Sequence, residues 1–337
     1  MSGPIGVLGA GSWGTALAVH WVRTGHRVRL WARSAEVCAA IARGENERYL
    51  PGVRIPAGVE ATHELAALAD CDPLVMVVPS HGYRGVLREA LEAIPASGPR
   101  IVVSAAKGVE IDTLDRMSQV TAEEAARVGT ELRFAVLSGP SFAVELVADS
   151  PTAVVIAAQS QELARSLRSR LSTPTLRLYS SHDVIGVEIG GTAKNVVAIA
   201  AGAVEGLGLG HNTLAALITR GLHEITRLGV ACGGLERTMA GLAGLGDLVL
   251  TCTGGLSRNQ QTGLELARGR SLDDIRQATG MVAEGVRNSL SIARLAERHG
   301  IEMPITTQMV DVLYAGKAPR EALEELMRRD LKAESEL

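Results

Sequence analysis

Cysteine, aromatic side chains and lysine are all scarce in this chain of 337 residues. Its four cysteines (Cys38, Cys71, Cys232 and Cys252) lie far apart and form no C-x-x-C. That spacing excludes a disulfide framework or a zinc ribbon and points to reduced thiols in a cytoplasmic protein. Aromatic residues make up 3% of the chain, too few for a surface on which bases or sugars stack. Neither charge is in excess: residues 1–180 carry 18 basic and 18 acidic side chains, and residues 181–337 carry 16 and 19. A nucleic-acid or polyanion binder is therefore excluded. Residues 1–22 hold no charge at all, yet they lack the basic start of a signal peptide and contain five glycines. They read as a glycine-rich strand and turn, not as a leader or a membrane span. Apolar residues (46%) and glycine (37 residues) are abundant, which suits large cores with many close backbone approaches.

The first half alternates two periodicities. Strands are predicted at Ile5–Leu8, Arg27–Trp31, Leu74–Val78, Ile101–Ser104, Phe134–Leu137, Ala153–Ala157 and Leu176–Tyr179. Most are apolar nearly throughout, as strands covered on both faces are. Helical patterns lie between several of them, at Ala35–Arg43, Gly82–Ala93, Leu114–Val128 and Gln161–Leu171. This alternation predicts an α/β fold with an N-terminal Rossmann-like domain, a doubly wound and mostly parallel sheet over residues 1–182. From Asp183 onward no strand pattern occurs. Long Ala/Leu/Ile-rich runs, broken at Gly206–Gly210, Cys232–Gly234, Gly254–Gly255 and Met303–Pro304, predict an all-α C-terminal domain over residues 183–337.

Gly9-Ala10-Gly11-Ser12-Trp13-Gly14 is a G-x-G-x-x-G placed directly after the first strand and before a helix. Its glycines suit a tight turn, the approach of a pyrophosphate, and close packing of helix on strand. A strict NAD binder carries an acid at the end of the second strand, but here that strand ends Trp31-Ala32-Arg33-Ser34. Arg33 either faces a 2′-phosphate or is a solvated strand-end residue, so NADPH is favoured over NADH without excluding it.

Only four lysines stand beside 30 arginines, and two of them lie away from charged surroundings. Lys107 follows the strand Ile101–Ser104, at the carboxyl edge where open α/β sheets bind ligands. Lys194 is the sole lysine or arginine between Arg177 and Arg220, inside an apolar helical run, where it either snorkels out of the helical domain or is buried for use. A buried lysine can exchange a proton where arginine cannot. A third cluster runs from Gly244-Leu245-Gly246-Asp247 to Ser257-Arg258-Asn259, ahead of a helical pattern at Gln261–Arg268. It suits either an anion site with an Arg clamp or an N-capped helix with a surface Arg. Asp247 either steadies a lysine ammonium or sits in a turn.

These motifs, with VPSH (78–81), SGPSFA (138–143), AKNVVAIAAG (193–202), VAEGVR (282–287) and MPI (303–305), occur in one order along nearly the whole chain. Together they resemble the NAD(P)-dependent glycerol-3-phosphate dehydrogenases of the bacterial, phospholipid-precursor type. The resemblance implies reversible hydride transfer between a reduced nicotinamide and dihydroxyacetone phosphate, giving sn-glycerol 3-phosphate. It implies Lys194 as proton donor and acceptor, in an apolar site that tunes it, and Lys107 beside the carbonyl and the nicotinamide. Gly139 and Ser141 would contact substrate, Asn195 and Asp247 would hold lysines and hydroxyls, and Ser257, Arg258 and Asn259 would bind the phosphate. Gly9, Gly11, Ser12, Trp13, Gly14, Arg33, Lys107, Ala143, Arg258, Val282 and Glu284 would bind NADPH or NADH. A homodimer and a cytoplasmic role in phospholipid synthesis are likewise implied, with no metal, nucleic acid or membrane partner.

Where many relatives carry Thr and Leu, this chain has Ala106 and Ala193, and Gln260-Gln261-Thr262 replaces a commoner Arg-Arg-Phe. A related dehydrogenase of acids would need a carboxylate clamp in place of Ser257–Asn259. No tyrosine has a lysine four residues later, against the short-chain class, and the eight histidines form no metal cluster. A cofactor sensor without turnover would have no need of both lysines.

Overall fold

Alternation along the strands decides the first unit of the fold. The structure, a computed structural model, describes residues 3–94, 100–279, 283–330 and 333. The chain divides into two units, residues 1–107 with 115–184, and residues 108–114 with 185–337. In the first, eight strands alternate with helices: β1 (Ile5–Leu8), α1 (Ser12–Arg23), β2 (Val28–Trp31), α2 (Ala35–Ala42), β3 (Val59–Thr62), β4 (Leu74–Met76), α3 (Ser80–Ala93), β5 (Arg100–Ser104), α4 (Met117–Val128), β6 (Leu132–Ser138), α5 (Ala143–Val147), β7 (Thr152–Ala157), α6 (Gln161–Leu171) and β8 (Leu176–Ser181). The sheet order is β3-β2-β1-β4-β5-β6-β7-β8, and only the β6–β7 pair is antiparallel. Val7, Val75 and Val103 face one core, while Leu8, Met76 and Val102 face another. Helices cover both faces, which is why these strands read as continuous apolar runs.

Every predicted strand is present, with ends moved by at most two residues. β3 was not predicted: as an edge strand paired only with β2 it keeps one buried residue, Val59, and shows no apolar run. The helix predicted from Leu114 starts at Met117, because Leu114 takes a left-handed φ of 63° that a helix interior does not allow. Nor does a single cut at 182/183 separate the units. Residues 108–114 pack in the second one, with Val109 and Leu114 in its core and the carbonyls of Ile111 and Thr113 bonded by Arg294 and Arg298.

The second unit contains α7 (Val184–Gly206), α8 (His211–Ala231), α9 (Glu236–Met239), a π-helical turn at Leu242–Gly246, α10 (Asp247–Thr253), α11 (Arg258–Ala267), α12 (Leu272–Thr279), α13 (Glu284–Arg298), α14 (Pro304–Tyr314) and α15 (Pro319–Met327). No strand occurs in it among the described residues. α7 feeds two cores, through Ile189, Ala193 and Val197 on one side and Val196, Ile199 and Ala200 on another. Among the described residues it is the one unbroken helix long and apolar enough to cross a membrane, and 94% of that stretch is buried within the protein. A helix apolar all round is what a core helix requires.

Two glycines let α11 lie against α7 with backbones touching. A Cβ at Gly202 would fall 1.8 Å from the Gln260 carbonyl oxygen, and one at Gly263 would fall 1.8 Å from that of Ile199. Elsewhere the buried Glu224 of α8 accepts the N–H groups of Ile305 (2.6 Å) and Thr306 (3.2 Å), capping α14 behind Pro304. Burial pushes its carboxyl up to about 7, against the lowering effect of those hydrogen bonds.

The packing is testable at two points. Gly263→Ala should cost about 1–3 kcal/mol by overpacking, whereas Gly82→Ala, which meets no atom within 4 Å on α3, should be neutral or stabilising by up to about 1 kcal/mol. Equal thermal midpoints for the two variants would refute the direct α7–α11 contact. For Glu224 the folded carboxyl holds its proton more tightly than the unfolded chain does, so its contribution to stability falls as pH rises from 4.5 to about 7 and is level above that. Glu224→Gln should flatten the unfolding midpoint against pH across that window.

Candidate functional site

The first unit carries its glycine-rich turn between β1 and α1. β1 ends at Leu8, and Gly9 turns the chain at φ 119°, a conformation open to glycine. Gly14 allows the closest packing: a Cβ there would lie 1.9 Å from the Gly9 carbonyl oxygen. At Gly11 a Cβ would meet nothing within 4 Å, so glycine at that position leaves space and relieves no contact inside the protein. α1 begins at Ser12 with Gly11 as its N-cap and no acidic residue in its first turn, so its opening N–H groups and dipole suit an anion. The Ser12 hydroxyl itself donates to the Tyr49 carbonyl, and Trp13 packs half-buried on the core. Arg33 stands exposed just past β2, with no partner among the described residues.

At the carboxyl ends of β5 and β6 three of the expected residues meet. The Gly139 carbonyl accepts from both Lys107 Nζ and Ser141 Oγ, each at 3.2 Å. Gly139 has φ 142°, and a Cβ there would press on Val154 Cα at 3.0 Å, so the turn after β6 needs glycine. Ala143 opens α5 next to this turn.

In the second unit the buried Lys194 of α7 donates from Nζ to Asp247 Oδ1 at 2.5 Å and to Thr251 Oγ1 at 2.6 Å. Both charged side chains are almost fully buried, at 7% and 1% exposure. Asp247 is delivered by the π-helical turn, closed by Gly246 N–H to the Gly241 carbonyl at 3.0 Å, which shifts α10 out of ordinary helical register. Thr251 donates in turn to the Asp247 carbonyl at 2.6 Å, so one α10 turn holds these two acceptors of the ammonium. Burial beside this pair pushes the Cys252 thiol up to about 12, leaving it protonated and inert.

One residue along α7, Asn195 Oδ1 accepts from Asn259 Nδ2 at 2.9 Å, and Asn259 Oδ1 accepts the Gly285 N–H at 2.9 Å. A Cβ at Gly285 would sit 2.6 Å from the Asn195 carbonyl oxygen, so α13 begins hard against this pair and brings Glu284, its first residue, there too. α11 starts at Arg258 and not at Gln261, because Ser257 caps it by accepting the Gln260 N–H at 3.3 Å. Arg258 is therefore an exposed first-turn residue beside open N–H groups. Val282 lies outside the described residues. Sequence patterns gave no reason to single out Thr251 or Asn46, since each is an ordinary polar residue until the fold gives it a partner.

Profiles of known families match both parts of the chain: NAD-dependent glycerol-3-phosphate dehydrogenase N-terminus at residues 4–164 and C-terminus at residues 183–324. Glycerol-3-phosphate dehydrogenase (NAD(P)+) of Koribacter versatilis is 51% identical over 96% of this chain and 97% of its own. That of Nitratidesulfovibrio vulgaris is 50% identical over 98% and 99%. The crystal structure of a glycerol-3-phosphate dehydrogenase from Coxiella burnetii superposes with a TM-score of 0.91, at 41% identity over 97% of this chain and 99% of that one. At 22% identity, the Plasmodium falciparum enzyme shares the fold, with a TM-score of 0.85 over 98% and 97%.

The Lys194–Asp247 pair makes a prediction about stability. Asp247→Ala leaves a buried ammonium without its carboxylate and should cost about 3–5 kcal/mol, while the joint replacement of Lys194→Met with Asp247→Leu should recover most of the loss. Denaturant midpoints that fall equally in the single and double variants would contradict this.

Proposed function

The chain belongs to the NAD-dependent glycerol-3-phosphate dehydrogenase family and reduces dihydroxyacetone phosphate to sn-glycerol 3-phosphate with NADH or NADPH, and from that premise we propose how its residues divide the work. The open space at Gly11, the N-terminus of α1 and the tight Gly9–Gly14 contact fit a dinucleotide, with Gly9, Gly11, Ser12, Trp13 and Gly14 holding its pyrophosphate. When bound, the nicotinamide supplies the hydride that reaches the carbonyl carbon.

Lys194 supplies the matching proton to the carbonyl oxygen, and takes it back in the oxidative direction. The observation that carries this reading is the buried Lys194–Asp247 contact at 2.5 Å. Asp247 stabilises the ammonium, the form able to donate, and Thr251 fixes its direction. Lys107, held by the Gly139 carbonyl, stabilises the negative charge that develops on the substrate oxygen, and Ser141 steadies the same turn. Arg258 clamps the phosphate together with the opening N–H groups of α11. Ser257 shapes that turn as its cap, and Asn259 with Asn195 sets the distance from phosphate to proton donor. Arg33 meets the 2′-phosphate of NADPH, while Ala143, Val282 and Glu284 complete the cofactor site. We also propose a homodimer in the cytoplasm, supplying glycerophospholipid synthesis; the family resemblance and four free cysteines support this.

Loss of reduced-nicotinamide absorbance with dihydroxyacetone phosphate tests the assignment. Lys194→Ala should abolish turnover while cofactor still binds; a variant keeping more than about a tenth of the rate would remove Lys194 from this role. Arg258→Ala should raise the substrate KM by the equivalent of ~2–4 kcal/mol, and an unchanged KM would place the phosphate elsewhere. With Arg33→Ala, kcat/KM for NADPH should drop about tenfold while that for NADH stays within about twofold. Equal losses with both cofactors would assign Arg33 to something other than the 2′-phosphate.

A further inference from the structure

After α2 the chain doubles back over the glycine-rich turn. Gly44, at φ 91°, ends the helix, and the Asn46 carbonyl accepts the N–H groups of Tyr49 (3.1 Å) and Leu50 (2.8 Å). Leu50 anchors this small turn in the core at 1% exposure. The turn is tied to α1 at two points: the Ser12 hydroxyl donates to the Tyr49 carbonyl, and Asn46 reaches beneath the glycines. Asn46 is only 2% exposed. Its Nδ2 donates to the Ala10 carbonyl at 3.0 Å and to Thr15 Oγ1 at 2.8 Å, and Thr15 Oγ1 donates to the same carbonyl at 3.3 Å.

The Ala10 oxygen thus accepts from two buried donors. A trans peptide is planar, so its C=O and the following N–H point in opposite directions. Holding the Ala10 oxygen toward Asn46 turns the Gly11 N–H the other way. Gly11 has no side chain and no neighbour at its Cβ position, so nothing local stops this peptide from rotating and presenting an oxygen to an incoming anion. Rotation would break both bonds to Ala10 and leave buried polar atoms unpaired.

We propose that Asn46 is the positioning residue that locks the Ala10–Gly11 peptide with its N–H directed at the cofactor pyrophosphate. This rests on the reading of Gly9–Gly14 as the cofactor turn. The pyrophosphate is common to NADH, NADPH and ADP-ribose, so all three share the dependence, unlike the dependence on Arg33. Adenosine 2′-monophosphate lacks the pyrophosphate and does not.

Fluorescence or calorimetric titration of Asn46→Ala and Asn46→Asp with these four compounds tests the assignment. The Kd values for NADH, NADPH and ADP-ribose should rise together by about 10–100-fold, with adenosine 2′-monophosphate within about twofold. In turnover the effect should fall on the cofactor KM more than on kcat, leaving the KM for dihydroxyacetone phosphate unchanged. Thr15→Val keeps the shape but takes from Asn46 the hydroxyl that holds its amide and from the Ala10 carbonyl its second donor, so it should loosen the lock and show the same parallel rise at about 2–5-fold. Should the Asn46 variants not fold, Thr15→Val decides, and unchanged Kd values in it overturn the proposal. A loss confined to NADPH, or a lower unfolding midpoint with unaltered Kd values, overturns it as well. Wild-type protein that binds neither NAD(P)H nor ADP-ribose would overturn the reading of the turn itself, whereas wild-type binding with unaffected variants overturns the Asn46 assignment alone.

Discussion

A lysine ammonium cannot leave water without a partner, and the second unit is arranged around that constraint. Removing such an ion from solvent costs several kcal/mol, offset only by an opposite charge and further hydrogen bonds in good geometry. Lys194 receives both from one turn of α10, through Asp247 and Thr251. That turn is aimed by the π-helical segment before it, and α7 holds Lys194 by packing on two cores at once. The same α7 turn carries Asn195, which passes the register on to Asn259 and the start of α13. Lys194 and the start of α11 are therefore positioned by one continuous set of contacts.

Glycine acts in three different ways in this protein. At Gly9 and Gly139 it permits backbone angles that other residues rarely adopt. In Gly14, Gly202, Gly263 and Gly285 the missing side chain lets two backbones touch, which sets where α1, α11 and α13 begin relative to their neighbours within each unit. Gly11 faces open space at the glycine-rich turn, and there the absent side chain leaves room for something other than protein. A local freedom of that kind has a cost in order, which Asn46 and Thr15 remove by holding the adjoining carbonyl.

Much of this was legible in the sequence. β-branched runs buried on both faces announce themselves, so the strands of a doubly wound sheet emerge without a structure, and β3 escapes because an edge strand has no such run. The scarcity of lysine drew attention to Lys107 and Lys194, and the G-x-G-x-x-G was readable because its spacing has a mechanical meaning. Helix starts were less legible. Ser257 rather than the apolar pattern decides where α11 begins, and a single left-handed residue, Leu114, delays α4.

By itself, then, the amino-acid order determined the two kinds of architecture, the glycine-rich turn between β1 and α1 and the residue types able to move a proton, because these depend on periodicity and on chemistry local to a few positions. Tertiary structure alone decided which polar groups meet. That Thr251 joins Asp247 at Lys194, that Asn259 bridges Asn195 and Gly285, that Asn46 reaches Ala10, and that residues 108–114 pack with the helical unit all concern partners distant in sequence. Such pairings carry no period and no composition signal. They are fixed by which backbones can approach closely enough, and by the penalty for leaving a buried donor or charge unpaired.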